Sequence, residues 1–375
     1  MSSLFWAVLD NDQKKQAAEI LATFDKDSKD EMGLMSITIA LSNLMFPGTS
    51  VLHTRLRYVY LIGWIFLEAM KSNNELSKDI LHKKEKELRK VLQLNKGQNP
   101  SEDYFGILGS TKIIDRNGDG DELSQPPFSV YFNLLKEWNI IIDKSLSITE
   151  LYRGCFCPKY LKILENDFDN STFKLSEDEC EYIVNKIPLS ILHSIFKQNI
   201  ALESKEHFVD FDATKIEDEL QQKLFKDAQN FSLLMWGVML YYDFYLDNNS
   251  AQLKNNFKVW SSRIKDVIID WNPEETLEHV EQSVSSSQRE FIIDWFEYIK
   301  KNINNISLEN PAKITNIDLE EFLRKREKAL KGDRSRLWKK LNDEVLEDAR
   351  FGINPIEYRW SKIRRFKKDF NNATS

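Results

Sequence analysis

Two stretches of the chain are apolar on nearly every side, and between them the apolar positions recur at helical spacing. The first follows the punctuation Phe46-Pro47-Gly48, where Thr49 or Ser50 can cap orphan amides, and the pattern predicts a helix over Val51 to Met70. A helix that is apolar all round belongs in a core. At 100° per residue Arg55 falls among Val51, Val59, Ile62 and Phe66, and Arg57 falls between His53, Leu61 and Trp64. A buried unpaired charge costs several kcal/mol, so both guanidinium groups need partners. Asp30 and Glu31 are sequence-near candidates for that pairing; an anion held by Thr49, Ser50, Arg55 and Arg57 at the capped helix start is the second reading. The other apolar stretch, Phe231 to Leu246, predicts the core helix of a second half.

Around these two helices the same periodicity predicts several more. One runs through Ala17, Ile20, Leu21 and Phe24, one from Met35 to Met45, and a charged one from Leu76 to Leu94. Pro126-Pro127-Phe128 reads as a stop, with Ser129 capping a helix through Val130, Tyr131, Leu134, Leu135 and Trp138. Asn139 to Asp143 then reads as a short strand or a new helix start, so the middle of the chain admits a small winged-helix-like element. Ser176-Glu177-Asp178-Glu179 is a capping box that opens a helix through Tyr182, Ile183 and Ile187. Ile317 to Lys331 is a charged helix closed by Gly332. The expected fold is mainly α, a multi-helix globular protein built round two buried helices. Its regions are 1–97, N-terminal and helical; 98–172, loop-rich; 173–315, a helical core; and 316–375, a basic C-terminal segment.

Composition agrees with long helices. In 375 residues there are only 12 Gly and 9 Pro, so turn chemistry is sparse. Three cysteines, Cys155, Cys157 and Cys180, do not make a disulfide framework and suit a reducing cytoplasm. No signal-peptide pattern opens the sequence, and no apolar run approaches the roughly 20 residues that a membrane span needs, so the expected setting is cytoplasmic with no membrane partner.

Charge changes the picture more. Net charge is −7, yet Arg324 to Asp369 carries 16 Lys/Arg against 8 Asp/Glu, a local +8 that leaves −15 for residues 1–323. Arg324, Lys325, Arg326, Lys331, Arg334, Arg336, Arg359, Arg364, Arg365, Lys367 and Lys368 are interleaved with Tyr358, Trp360 and Phe366. That mixture suits phosphate contacts with base stacking, or contact with a partner protein, or neutralisation of the chain's own acidic body.

Catalytic chemistry is harder to find. Asp115, Asn117, Asp119 and Gly120 begin like a calcium loop, but Pro126 stands where the bidentate Glu is required, which leaves an acidic turn. Cys155-Phe156-Cys157 has no second ligand pair, and neither His193 nor His207 lies at a metal-binding spacing. Neither nucleotide-binding glycine pattern occurs. No metal, no cofactor and no catalytic set is expected, and the alternative of a metal-dependent nuclease needs carboxylates that converge only in three dimensions.

Several of these residues carry a resemblance. Phe46-Pro47-Gly48-Thr49-Ser50, followed by His53-Thr54-Arg55 and Arg57-Tyr58, resembles the opening signature of a prokaryotic family designated domain of unknown function 6361. Phe105-Gly106-Ile107-Leu108-Gly109, Ser129-Val130-Tyr131 with Trp138, Arg326-Glu327 with Leu330-Lys331-Gly332, and Tyr358-Arg359-Trp360 continue it. The loop after Lys112 is acidic where that family tends to be basic, so no phosphate role passes to it. The resemblance implies a protein encoded beside helicases and other components of anti-phage defence clusters. The expected function is therefore a non-catalytic subunit of such a system, holding DNA or a partner such as a helicase through its basic C-terminal segment.

Overall fold

The computed structural model describes residues 32–72, 76–98, 106–109, 123, 125–164, 172–246, 251–302, 317–341 and 354–374. Within them the helices are α1 (Met35–Met45), α2 (Tyr58–Ser72), α3 (Lys78–Gln98), α4 (Pro127–Glu137), α5 (Pro158–Ile163), α6 (Glu177–Lys186) and α7 (Ile191–Lys197). They continue with α8 (Glu219–Tyr245), α9 (Ala251–Asp270), α10 (Pro273–His279), α11 (Ser286–Asn302), α12 (Ile317–Lys331), α13 (Arg336–Leu341) and α14 (Trp360–Thr374). The protein is mainly α, and among the described residues it contains no strand. The helix expected through Ala17 to Phe24, the acids Asp30 and Glu31, and the body of the acidic turn at Asp115 to Asp121 lie outside the described residues.

The chain forms two compact units. One comprises residues 1–38 and 230–356, the other residues 39–229 and 357–375. These do not coincide with the four regions expected from the sequence. Segment 316–375 in particular is divided, with α12 and α13 in the first unit and α14 in the second. The reason is that α14 is recruited by apolar contacts distant in sequence. Trp360 is fully buried against Phe46, Phe208, Phe211 and Phe225, with ring centroids 5.1 to 6.1 Å apart, and burial of such area outweighs adjacency along the chain.

In the unit of residues 39–229 and 357–375, α2 packs on α3 and α4, and α14 packs on α6. Helix α2 begins at Tyr58, not Val51, so the stretch from Val51 to Arg57 is an irregular turn ahead of the helix. Its backbone groups are satisfied by a side chain instead: the Tyr131 hydroxyl accepts from Thr54 N and Arg55 N at 3.0 and 3.1 Å and donates to Arg55 O at 2.8 Å. Three more hydrogen bonds tie this turn and the approach to it to the fold. Trp138 Nε1 donates to Pro47 O at 3.0 Å, Thr54 Oγ1 donates to Gly106 O at 2.6 Å, and His53 Nε2 lies 3.1 Å from Val130 O. Gly48 turns the chain at φ +75, where an added Cβ would stand 3.0 Å from Glu137 Cβ.

Pro127 opens α4 at its first position with no side-chain cap, so the prolines start this helix and Ser129 does not cap it. A proline needs no amide partner there. Asn139 to Asp143 forms no strand; Ile141 makes a single antiparallel bridge to Phe156, so no wing of strands follows α4 among the described residues. Ser176 and Glu179 do form the capping box of α6, with Glu179 N on Ser176 Oγ at 3.2 Å and Ser176 N on Glu179 Oε2 at 2.7 Å.

In the other unit the second half of α8 is buried on almost every face. Trp260 Nε1 and Trp295 Nε1 donate to Leu233 O and Leu234 O at 2.9 and 3.0 Å, and the Tyr241 ring meets both indoles edge-on. Glu327 of α12 is fully buried and fully used. It accepts from the Tyr242 hydroxyl at 2.7 Å, from the Ser335 hydroxyl at 2.8 Å, and from Arg336 N and Leu337 N at 2.9 and 3.0 Å, which caps α13.

Candidate anion interface on the C-terminal helix

The two arginines of the signature turn are held internally. Arg55, 3% exposed, places Nε 2.9 and 3.0 Å from the two oxygens of Asp369, and Leu56 N donates to the same carboxylate at 2.8 Å. The Arg55 guanidinium also stacks over Phe173 at 4.6 Å. Burial pushes the Asp369 carboxyl above its ordinary range, and the adjoining Arg55 pulls it back. Arg57 lies 3.3 Å from Glu179 Oε1 and donates to Thr172 O at 2.7 Å. The same Glu179 completes the α6 capping box through its other oxygen. The residues expected to hold an anion therefore serve the interior: Thr49 is buried with its hydroxyl on Phe46 O at 2.7 Å, and Ser50 Oγ accepts from Leu52 N at 3.2 Å.

His53 completes this interior. Its ring stacks on Tyr131 at 4.1 Å, Ser50 N donates to its Nδ1 at 3.2 Å, and its Nε2 reaches Val130 O. Those two bonds require the neutral ring with the proton on Nε2. Burial pushes it down to about 3, with the nearby Arg359 and Lys362 adding to the effect, so His53 is uncharged and orders the turn.

The expected basic residues separate into two groups. On α12 and α13 the cations are mixed with acids or used by the fold. Lys325 pairs Glu321 at 2.6 Å, and Arg326 is buried with Nε on Met32 O at 3.0 Å and Nη1 on Ser287 O at 3.1 Å. The Arg336 amide contributes to the Glu327 cap; Arg324 and Lys331 are half-buried and Arg334 is exposed.

Helix α14 is organised differently. Trp360, Ile363, Phe366, Lys367, Asp369 and Phe370 are buried, while the outward arc consists of exposed Ser361, Lys368, Asn371 and Asn372 with half-buried Lys362, Arg364 and Arg365. Every charge on that arc is positive. The helix's one acid, Asp369, is turned inward onto Arg55. Lys367 is also inward, donating to Asn199 Oδ1 at 2.5 Å with its ammonium over Phe370 at 4.7 Å, and burial pushes it down to about 8. Arg364 donates to Ser204 O. Burial and the neighbouring Arg365 push Lys362 below its ordinary value.

Residues 1–118 match the model of a family of unknown function, DUF6361. No curated protein and no solved structure matches the chain. The matched span covers the signature turn, but α14 and the acids that hold the turn lie beyond it. Fold geometry thus links the matched span to residues outside it: Asp369, Glu179, Tyr131 and Arg359 all contact the turn of Thr49 to Arg57.

Sequence reasoning missed Asp369 and Glu179 as partners. Asp369 had left a signal, since an acid beside Phe366 and Phe370 on the apolar side of a basic helix is out of place on a solvated face. Also missed was the Glu85–Arg89 pair of α3, both 1% exposed and 3.4 Å apart, in which burial pushes the Glu85 carboxyl up to about 7. No group of three or more His, Cys, Asp or Glu placed to hold a metal ion occurs among the described residues. None of the described helices is long and apolar enough to cross a membrane.

Proposed function

We propose that the protein binds the phosphate backbone of nucleic acid through the outward arc of α14, as a non-catalytic subunit of a prokaryotic anti-phage defence system. The observation that carries the binding reading is the sorting of charge on this helix. Lys362, Arg364, Arg365 and Lys368 share one arc without an acid among them, Lys368 exposed and the other three half-buried, and Asp369 is withdrawn into the fold. A helix selected only for solubility mixes signs on its exposed face; one that meets polyphosphate keeps cations together, because each neutralised phosphate releases condensed counterions. The arc also carries Asn371, Asn372 and Ser361, which can donate to phosphate oxygens without sequence readout.

Four contacts predict that the logarithm of affinity for duplex DNA falls against the logarithm of salt with a slope of about −3 to −4. Replacing Lys362 and Arg365 with Ala reduces that slope by about 2, whereas replacing Lys325 and Arg334 leaves it unchanged. Equal slopes for all three chains refute the assignment to α14. The defence role and a helicase partner rest on the resemblance of the signature turn and of Tyr358-Arg359-Trp360. Deleting the gene from its native cluster should restore plaque formation by a restricted phage, and a deletion that leaves plating efficiency unchanged refutes it.

A further inference from the structure

The backbone enters α14 through two consecutive non-glycine residues in the left-handed region, Tyr358 at φ +40 and Arg359 at φ +67. Such residues persist only where their surroundings over-determine them, and they concentrate at binding sites. Here the surroundings are aromatic. The Tyr358 ring packs edge-on against Phe208 at 4.9 Å, and Trp360 is enclosed by four rings, so the flanking side chains fix the backbone and direct the side chain between them. The Glu357 carboxylate anchors the approach, with His207 Nδ1 at 2.6 Å and Phe208 N at 3.3 Å.

The side chain aimed in this way is Arg359. Its Nη1 donates to Thr49 O at 2.6 Å and lies 3.5 Å from Thr49 Oγ1, and no carboxylate lies within ion-pair distance of it among the described residues. The buried cations of this unit have partners: Arg55 has Asp369, Arg89 has Glu85, and Lys367 has Asn199 and two rings; Arg359 is half-buried. One helical turn on, Lys362 is half-buried, with neither a hydrogen bond nor an acid partner among the described residues. Lys362 N donates to Arg359 O at 2.8 Å, so the two residues stand one turn apart at the start of α14, and burial pushes Arg359 down to about 10. Two partly desolvated cations without an anion are an electrostatic deficit, and the fold maintains strained backbone to hold them there.

From this arrangement we infer that Arg359 and Lys362, beside the backbone of Thr49, form a seat for a single phosphate group. The guanidinium's remaining donors suit two phosphate oxygens, and Lys362 supplies a point charge. The seat rests on the nucleic-acid reading for its natural ligand but not for its test. A terminal phosphate monoester and a backbone diester present the same oxygens, and the choice between them is left to experiment.

The first test uses the full chain and inorganic phosphate. Sodium phosphate should raise the Tm of the wild type beyond sodium chloride at matched ionic strength, because a ligand that binds only the folded state stabilises it. Arg359→Gln and Lys362→Gln should each lose most of that increment, with phosphate affinity lowered roughly tenfold for loss of one charge-assisted contact. Lys362→Gln gives up no hydrogen bond within the fold, so its loss of response reports binding even where Arg359→Gln is itself destabilised. A wild-type increment no larger than that of chloride, or an equal increment in wild type and Lys362→Gln, overturns the seat. The second test compares single-stranded oligonucleotides with and without a 5′-phosphate. Preference for the phosphorylated strand that is lost in Lys362→Gln assigns a terminal phosphate, and equal affinities weakened alike by Lys362→Gln assign the diester; affinities unaffected by the variant again overturn the seat. A phosphate increment without salt-dependent DNA binding would leave the seat standing and remove the nucleic-acid reading, so the two fail separately.

Discussion

Replacing Asp369 with Ala tests the joint between the signature turn and α14. The carboxylate receives Arg55 Nε on both oxygens, at 2.9 and 3.0 Å, and Leu56 N at 2.8 Å, from an environment in which Arg55 is 3% exposed. Its removal leaves a guanidinium in the interior that cannot shed its charge, so Asp369→Ala should cost about 3–5 kcal/mol. The opposite truncation is milder. In Arg55→Met the orphaned carboxyl can take up a proton and keep accepting from Leu56 N, and a cost of roughly 2 kcal/mol is expected for the lost contacts. Without that cation, burial is opposed only by the Leu56 N bond and the more distant Arg365, and the folded-state pKa of Asp369 rises further above the unfolded one. The folded state then holds more protons than the unfolded state between the two values, so the stability of Arg55→Met falls as pH rises through that window and is flat above it. The double variant Arg55→Met/Asp369→Leu removes both charges and should recover to within about 2 kcal/mol of wild type. Urea denaturation followed by far-ultraviolet circular dichroism at pH 7 measures all four chains, provided that the m-value is unchanged. A cost below about 1 kcal/mol for Asp369→Ala, or a double variant as unstable as Asp369→Ala alone, would refute the claim that the pair is buried and mutually dependent.

Two further outcomes follow from the same reasoning. Burial raises Glu85 from 4.5 to about 7 against the opposing pull of Arg89 and Lys86, so the folded state holds the extra proton; stability should fall as pH rises from about 4.5 to about 7, by on the order of 3 kcal/mol, and Glu85→Gln should flatten that fall in urea midpoints taken at pH 5 and pH 8. Gly63 lies inside α2, where Ala would ordinarily gain about 1 kcal/mol. Its added Cβ would stand 2.0 Å from the Tyr160 hydroxyl, whose ring is buried between Tyr60 and Tyr182 and bonded to Val59 O, so Gly63→Ala should instead lower stability by about 1–3 kcal/mol, and a raised Tm would show that this crevice is loose.

Local rules identified the elements whose causes are local. The capping box at Ser176, the helix from Met35 to Met45, the glycine stop after Lys331 and the apolar run of α8 each depend on residues within a turn or two, and the structure has them where the pattern puts them. The same rules misjudged Val51 to Arg57. An apolar run looks helical, but Tyr131 and the backbones of Gly106 and Val130, all dozens of residues away, satisfy its polar groups in an irregular turn. Composition established a mainly α chain with a basic end. It could not distinguish cations used inside, such as Arg326 and Lys367, from those turned outward, because that depends on which face of α12 or α14 meets a core. The need of Arg55 and Arg57 for partners was also legible, since burial of an unpaired charge is costly in any fold. Their identity was not: Asp369 and Glu179 lie 314 and 122 residues away, and only tertiary packing, driven by Trp360 and its ring of phenylalanines, brings those carboxylates to the signature turn and leaves Arg359 beside it, among the described residues, without one.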